Sequence, residues 1–181
     1  MKGVVFTEFL EMVEQQFSPA MADDLVESSD LPSGGAYTAV GTYASAEMTT
    51  LVTALSDRVD VPVPDLLEAY GQYLFGRFFA LYPGFFDGPT DALGFVATIE
   101  PVVHTEVHKL YPDAELPTFE IVWLGDDALT MTYQSPRHLG DLAMGLLCGA
   151  VAHYGQPVAI ERESVSSDGS SVRFTLTRVP S

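Results

Sequence analysis

Apolar residues recur along this chain with two periods, and the change of period divides it. Val5, Phe9, Met12 and Val13 fall at three- and four-residue steps. Phe6 and Leu10 flank them and Glu8, Glu11 and Glu14 lie between, so residues 2–17 read as an amphipathic helix. Pro19 suits the first turn of a short helix over 18–27. Ser28 to Ala44 is rich in Ser, Gly and Pro and reads as a loop. Met48, Leu51, Val52 and Leu55 restore the helical step from Ser45, and the run from Asp60 to Pro64 breaks it. From Pro64, the residues Leu66, Leu67, Tyr70, Leu74, Phe75, Phe78, Phe79 and Leu81 predict a long helix buried on two sides. Gly71 and Gly76 inside it each cost about 1 kcal/mol relative to alanine. That cost makes sense where a neighbouring helix or a flat ligand comes close.

A further helix is expected from about Thr90, carried by Leu93, Phe95, Val96, Ile99, Val102, Val103, Val107 and Leu110. Pro101 predicts a kink or tightened turn within it, and Pro112 its end. The period then shortens. Thr118 to Trp123 and Leu129 to Gln134 read as strands around a Gly125-Asp126-Asp127 turn. Leu139 to Tyr154 returns to helix through Leu142, Met144, Leu146, Leu147 and Val151, and Gly155 stops it. Val158 to Val165 and Val172 to Val179 form a second hairpin around Ser166 to Ser170. The fold class is therefore α+β: a helical N-terminal half and a mixed C-terminal half sharing one interior.

Composition narrows the class. At 181 residues the chain suits one domain, and 47% hydrophobic with 11% aromatic content means a packed core rather than disorder. The net charge of −17, from 25 acidic and 8 basic residues, excludes nucleic acid and anionic membrane as expected partners. The single cysteine, Cys148, leaves no intrachain disulfide and no multi-cysteine zinc site. No apolar run reaches membrane-spanning length and Met1 to Phe6 does not open like a secretory signal, so a cytoplasmic location is expected.

Two stretches carry candidate chemistry. His104 and His108 lie four apart and can share a helix face. A zinc pair is one reading, but partner ligands are missing at a recognisable spacing. A hydrogen-bonded core or surface histidine is another. Val103 and Val107 give His104 apolar company, while His108 beside Lys109 faces solvent. Downstream, Tyr133, Ser135 and Arg137 occupy alternate positions, which point one way in an extended chain. Pro136 keeps Ser135 extended. Two hydroxyls and a guanidinium on one patch suit a carboxylate or phosphate. Together the two stretches suggest a buried cofactor with a metal at its centre and acid groups at its rim.

With both stretches in place, the sequence resembles the heme nitric oxide/oxygen binding (H-NOX) family, which includes the heme domain of soluble guanylate cyclase. The resemblance runs from Met1-Lys2-Gly3 through His104 and Tyr111-Pro112 to the Tyr-x-Ser-x-Arg signature at 133–137. It implies a single domain over 1–181, with a helical subdomain 1–63 packed on a proximal subdomain 64–181 of helices and a four-stranded antiparallel sheet. Heme b, iron protoporphyrin IX, would lie between them. It implies that His104 is the axial iron ligand and that Tyr133, Ser135 and Arg137 hold the propionates. Pro112 is implied as the element that keeps the heme distorted, and Val5, Phe9, Leu74, Phe78, Leu142 and Leu146 as residues around the cofactor.

Some family members carry a distal tyrosine nine residues after the signature tyrosine; here that position is Leu142. Tyr70 and Tyr73, close to Leu74 in sequence, are the candidate exceptions. The resemblance thus implies a sensor of nitric oxide, also binding carbon monoxide, rather than an enzyme. Nitric oxide would weaken the bond between iron and His104, and the shift of that helix would be read by a separate histidine kinase or cyclic-di-GMP enzyme. The zinc site of some relatives is not expected, since Ser164, Ser166 and Ser167 stand in that region. The rivals are an oxygen-binding heme sensor, a peroxidase-like enzyme, which would want a distal His or Arg, and a heme-free protein-interaction module. No Gly-x-Ser-x-Gly elbow or phosphate-cradling glycine loop supports hydrolase or phosphate chemistry.

Overall fold

The helical periods of the first half become four helices. In the computed structural model, which describes residues 1–180, these are α1 (Val4–Gln16), α2 (Pro19–Ser28), α3 (Ser45–Val59) and α4 (Val63–Leu81). Ser18 caps α2 by accepting the Met21 N–H at 3.1 Å, with Pro19 in the first turn where no N–H is missed. Asp60 ends α3 in the left-handed region at φ 53°. The loop expected over Ser28 to Ala44 starts one residue later, because α2 keeps Ser28, and folds back so that Lys2 and Thr42 form an isolated bridge and Tyr37 stacks on Phe6 with ring centroids 4.5 Å apart.

After a 3-10 turn at Pro83–Phe86, α5 (Ala92–Thr98) is capped by Asp91, which accepts the Gly94 N–H at 2.7 Å. The kink expected at Pro101 is a π-helical stretch, Ile99–His104, which passes into α6 (Thr105–Leu110). Proline lacks the N–H that a regular turn would use, and a widened turn accommodates the gap. The widened turn also breaks the α-helical stripe read from the sequence, so Val102 and Leu110 are exposed.

Strands β1 (Thr118–Trp123), β2 (Ala128–Gln134), β3 (Val158–Ser164) and β4 (Ser171–Arg178) form an antiparallel sheet ordered β1-β2-β4-β3. Leu129, Met131 and Tyr133 of β2 alternate onto the face shared with Val172, Phe174 and Leu176 of β4, and all six are buried. Helix α7 (Gly140–Tyr154) ends at Gly155, whose φ of 69° favours glycine.

One core runs through both halves, from Phe6, Phe9, Met48 and Leu55 through Tyr70 and Leu74 to Leu129 and Phe174. Each such side chain contributes about 1.5–3 kcal/mol on burial. A smaller cluster holds Phe75, Phe95 and Ala150. Helix α4 departs from its expected two-sided burial at its end, where Phe79 and Leu81 are exposed. Of its two glycines, Gly71 meets the backbone of α7, so the close neighbour is a helix, and nothing approaches Gly76. Among the described residues no helix is long and apolar enough to cross a membrane.

Candidate functional site

Helices α4 and α7, the run from α5 to α6, the start of α1 and the strands β1 and β2 surround a cavity of about 280 Å³. Its walls are mostly apolar, with Val5, Leu74, Phe78, Met131, Leu142 and Leu146 among them. An aromatic group closes one side, where Phe86 stacks on Phe95 at 4.9 Å and Phe75 meets both rings edge-on.

His104, the last residue of the π-helical stretch, lines this cavity. Its Nδ1 lies 3.0 Å from Glu100 Oε2. An ionised carboxylate can only accept, so Nδ1 carries the proton, and in the neutral ring Nε2 keeps its lone pair. Nε2 has no protein partner among the described residues. The same Glu100 oxygen accepts the Phe119 N–H at 3.1 Å, and the Phe119 ring lies 5.3 Å from the imidazole. Burial pulls the His104 pKa down, with Glu100 opposing it. The ring therefore favours the neutral form that can donate electrons to a metal. His108 is exposed, one turn on, and is not part of the lining. The two histidines are not brought together as a pair, and no cluster of three potential metal-ligating side chains exists among the described residues.

Tyr133, Ser135 and Arg137 converge at one end of the cavity. The Tyr133 hydroxyl accepts the Leu139 N–H at 3.1 Å, and Ser135 Oγ accepts the Arg137 N–H at 3.2 Å. Both hydroxyl protons are left to donate elsewhere. The route differs from the extended one read in the sequence. Strand β2 stops at Gln134, residues 136–137 form a turn, and His138 adopts φ 56°. Arg137 thus reaches the cavity by a turn, and its guanidinium donates to Glu115 at 3.0 Å. The side chain of Arg137 is 13% exposed and that of Glu115 81%, so the carboxylate approaches from solvent.

Two of the site residues read from the sequence lie elsewhere. Phe9 is fully buried, but it packs edge-on against Tyr70 at 5.2 Å, outside the cavity lining. Pro112 is exposed just past α6 and also outside it, whereas its neighbours Leu110 and Tyr111 line the wall. Tyr70 and Tyr73 do not line the cavity either. The Tyr70 hydroxyl donates to the Val5 carbonyl, and the Tyr73 hydroxyl is buried with no hydrogen-bond partner among the described residues. The tyrosine that sequence reasoning missed is Tyr82, a lining residue just past the end of α4. Burial, followed by neighbouring Tyr111, raises its pKa. Its spacing of four from Phe78 was the available signal. Glu100 stands four before His104, a spacing that could have paired them, whereas nothing local links Glu115 to Arg137 or Phe119 to Glu100.

Residues 2–162 match the family described as Haem-NO-binding. Among curated proteins, none matches the chain. A mutant H-NOX protein from K. algicida, solved as unliganded Fe(II), is 39% identical over 99% of this chain and 97% of its own, with a TM-score of 0.93. The S. oneidensis H-NOX protein in its Fe(II)NO state is 29% identical over 99% of this chain and 100% of its own, with a TM-score of 0.92. The Shewanella woodyi H-NOX, bound to IWP-051 in the Fe(II)CO state, is 37% identical over 99% of this chain and 95% of its own, with a TM-score of 0.84.

Proposed function

The chain belongs to the Haem-NO-binding family, and we propose that it is a nitric oxide sensor that holds haem b and reports to a separate protein. The observation that carries this reading is the cavity: one imidazole with a free lone pair, apolar side chains around it, and three donors at one end. An iron porphyrin suits such a space, since its faces are apolar and its two propionates are carboxylates. His104 Nε2 would take the iron, and Tyr133, Ser135 and Arg137 would hold the propionates. When bound, ferrous haem supplies an iron site for diatomic gases.

The chain's own residues set the selectivity. Val5, Leu74 and Leu142 bring no hydrogen-bond donor to the lining. Bound oxygen gains from such a donor in a low-dielectric pocket, so the wall favours nitric oxide and carbon monoxide. Tyr82 is the observation that favours a second reading, an oxygen sensor, because it is a tyrosine on the cavity lining. Among the described residues the lining holds one histidine and one arginine, His104 and Arg137, both assigned to holding haem, and the chain is read as a sensor without catalysis of its own.

His104 closes the π-helical stretch immediately before the short α6, a place where the backbone has few regular α-helical turns to hold it. A change in what holds its ring would bias that stretch between two arrangements, which is what a switch requires. The reader of the change would be a histidine kinase or a cyclic-di-GMP enzyme, in the cytoplasm. The test is the absorption spectrum of the purified ferrous protein in air, under nitric oxide and under carbon monoxide. A Soret band that shifts with nitric oxide and carbon monoxide but not with air is expected. A stable oxygen-bound spectrum would overturn the gas assignment. Absence of a Soret band would leave a haem-free interaction module.

A further inference from the structure

One carboxylate oxygen of Glu100 serves two partners. Its Oε2 sits 3.0 Å from His104 Nδ1 and accepts the Phe119 N–H at 3.1 Å. Its side chain is 40% exposed, so it is not a core residue held there by burial. The Phe119 ring, 5.3 Å from the imidazole, packs beside the same pair. An anionic acceptor on the far nitrogen of a metal-binding imidazole fixes the tautomer, orients the ring and raises its basicity. Second-shell hydrogen bonding of this kind is one of the few means by which a protein tunes a haem iron.

We infer that Glu100 is the positioning residue for His104, setting the strength of the imidazole as an iron donor and tying the ring to strand β1 through the Phe119 N–H. This rests on the haem-sensor reading. Three features make the arrangement specific. The carboxylate and the imidazole stand on the same π-helical stretch, four residues apart, so they move together. The Phe119 amide belongs to β1, an edge strand with β2 on one side only, so a displaced ring pulls on a strand that has one neighbour to hold it. Finally, His108, four residues beyond His104, is exposed and takes no part in holding the ring. The carboxylate is thus both the brake on ligand release and the first link from ring movement to the sheet.

The experiment compares wild type, Glu100→Gln and Glu100→Ala as full-length, haem-loaded ferrous proteins. Resonance Raman reads the iron–histidine stretch, and hydrogen exchange reads the Phe119 amide. Glu100→Gln keeps a hydrogen bond and loses the charge; Glu100→Ala loses both. The stretch is expected to fall from wild type to Glu100→Gln to Glu100→Ala. Haem should dissociate about 10- to 100-fold more readily from the alanine variant, the usual cost of removing such a partner. Phe119 exchange should accelerate in the alanine variant and stay near wild type in the glutamine variant. An iron–histidine stretch at one frequency in all three proteins would overturn the assignment of Glu100 while leaving the haem reading intact. A wild type without a Soret band would overturn both. If the alanine variant does not fold, the glutamine variant alone decides, because its stretch must still fall.

Discussion

Lys2 and Asp113 form an ion pair at 3.1 Å across 111 residues of sequence, joining the start of the chain to the segment just past α6. Lys2 Nζ also donates to Thr42 Oγ1 at 2.9 Å and to the Val40 carbonyl at 3.3 Å, and lies 4.8 Å above the centre of the Tyr111 ring. Thr42 Oγ1 in turn donates to Asp113 at 2.9 Å. The junction fastens the helical run that carries His104 to the N-terminal segment.

The hydrogen bond from Thr42, then that from Lys2, holds the Asp113 carboxyl below its ordinary pKa. A depressed folded-state value means that the junction contributes above the unfolded value and is lost as pH falls through the folded one. Asp113→Asn should therefore be less stable than wild type at neutral pH. The gap should narrow as pH falls below the ordinary aspartate value of about 3.9 and close only below the depressed folded value. Urea midpoints of both proteins at pH 7 and pH 3 check this. A gap unchanged in acid counts against the junction.

Arg137 and Glu115 make the second prediction. Arg137→Ala removes a charged donor from the cavity lining and, on the haem reading, should loosen haem by about 1.5–3 kcal/mol, the worth of a hydrogen bond to a charged group. Glu115→Ala should act in the opposite sense, because its carboxylate occupies the guanidinium that a propionate would use. Glu115 is largely exposed, so the gain should be small, about 0.2–1 kcal/mol. Transfer of haem to an excess of a scavenger apoprotein measures both.

Gly145 on α7 packs against α4 so closely that an added Cβ would collide with the Glu68 carbonyl oxygen and reach the Gly71 Cα at 2.8 Å. Backbone cannot yield as a flexible side chain does. Gly145→Ala should cost about 1–3 kcal/mol, the usual penalty of overpacking, despite the gain of about 1 kcal/mol in helix propensity. Gly76→Ala meets open space and should stabilise by up to that propensity alone. Denaturant unfolding of the two variants should move in opposite directions.

His104 and His108 separate by role. His104→Gly should lose the axial ligand and regain a near-native ferrous spectrum on addition of imidazole. His108→Ala should leave the spectrum unchanged, since it stands outside the cavity. A spectrum altered by His108→Ala would contradict the placement.

The sequence by itself determined which stretches coil and which extend, because the spacing of apolar residues states the period directly. It marked Pro101 as a break, placed His104 among valines, and offered Tyr133, Ser135 and Arg137 as donors on one patch, since each of these is a property of neighbouring positions. Only the tertiary structure decided what each face meets. Phe9 and Phe78 are alike in an apolar pattern, yet Phe9 packs on Tyr70 while Phe78 lines the cavity. Glu100 finds Phe119, Arg137 finds Glu115, and Lys2 finds Asp113. A hydrophobic period records that a side is turned from water. Whether that side is filled by other side chains or left as a cavity depends on how elements far apart in the chain come to pack, which no local spacing encodes.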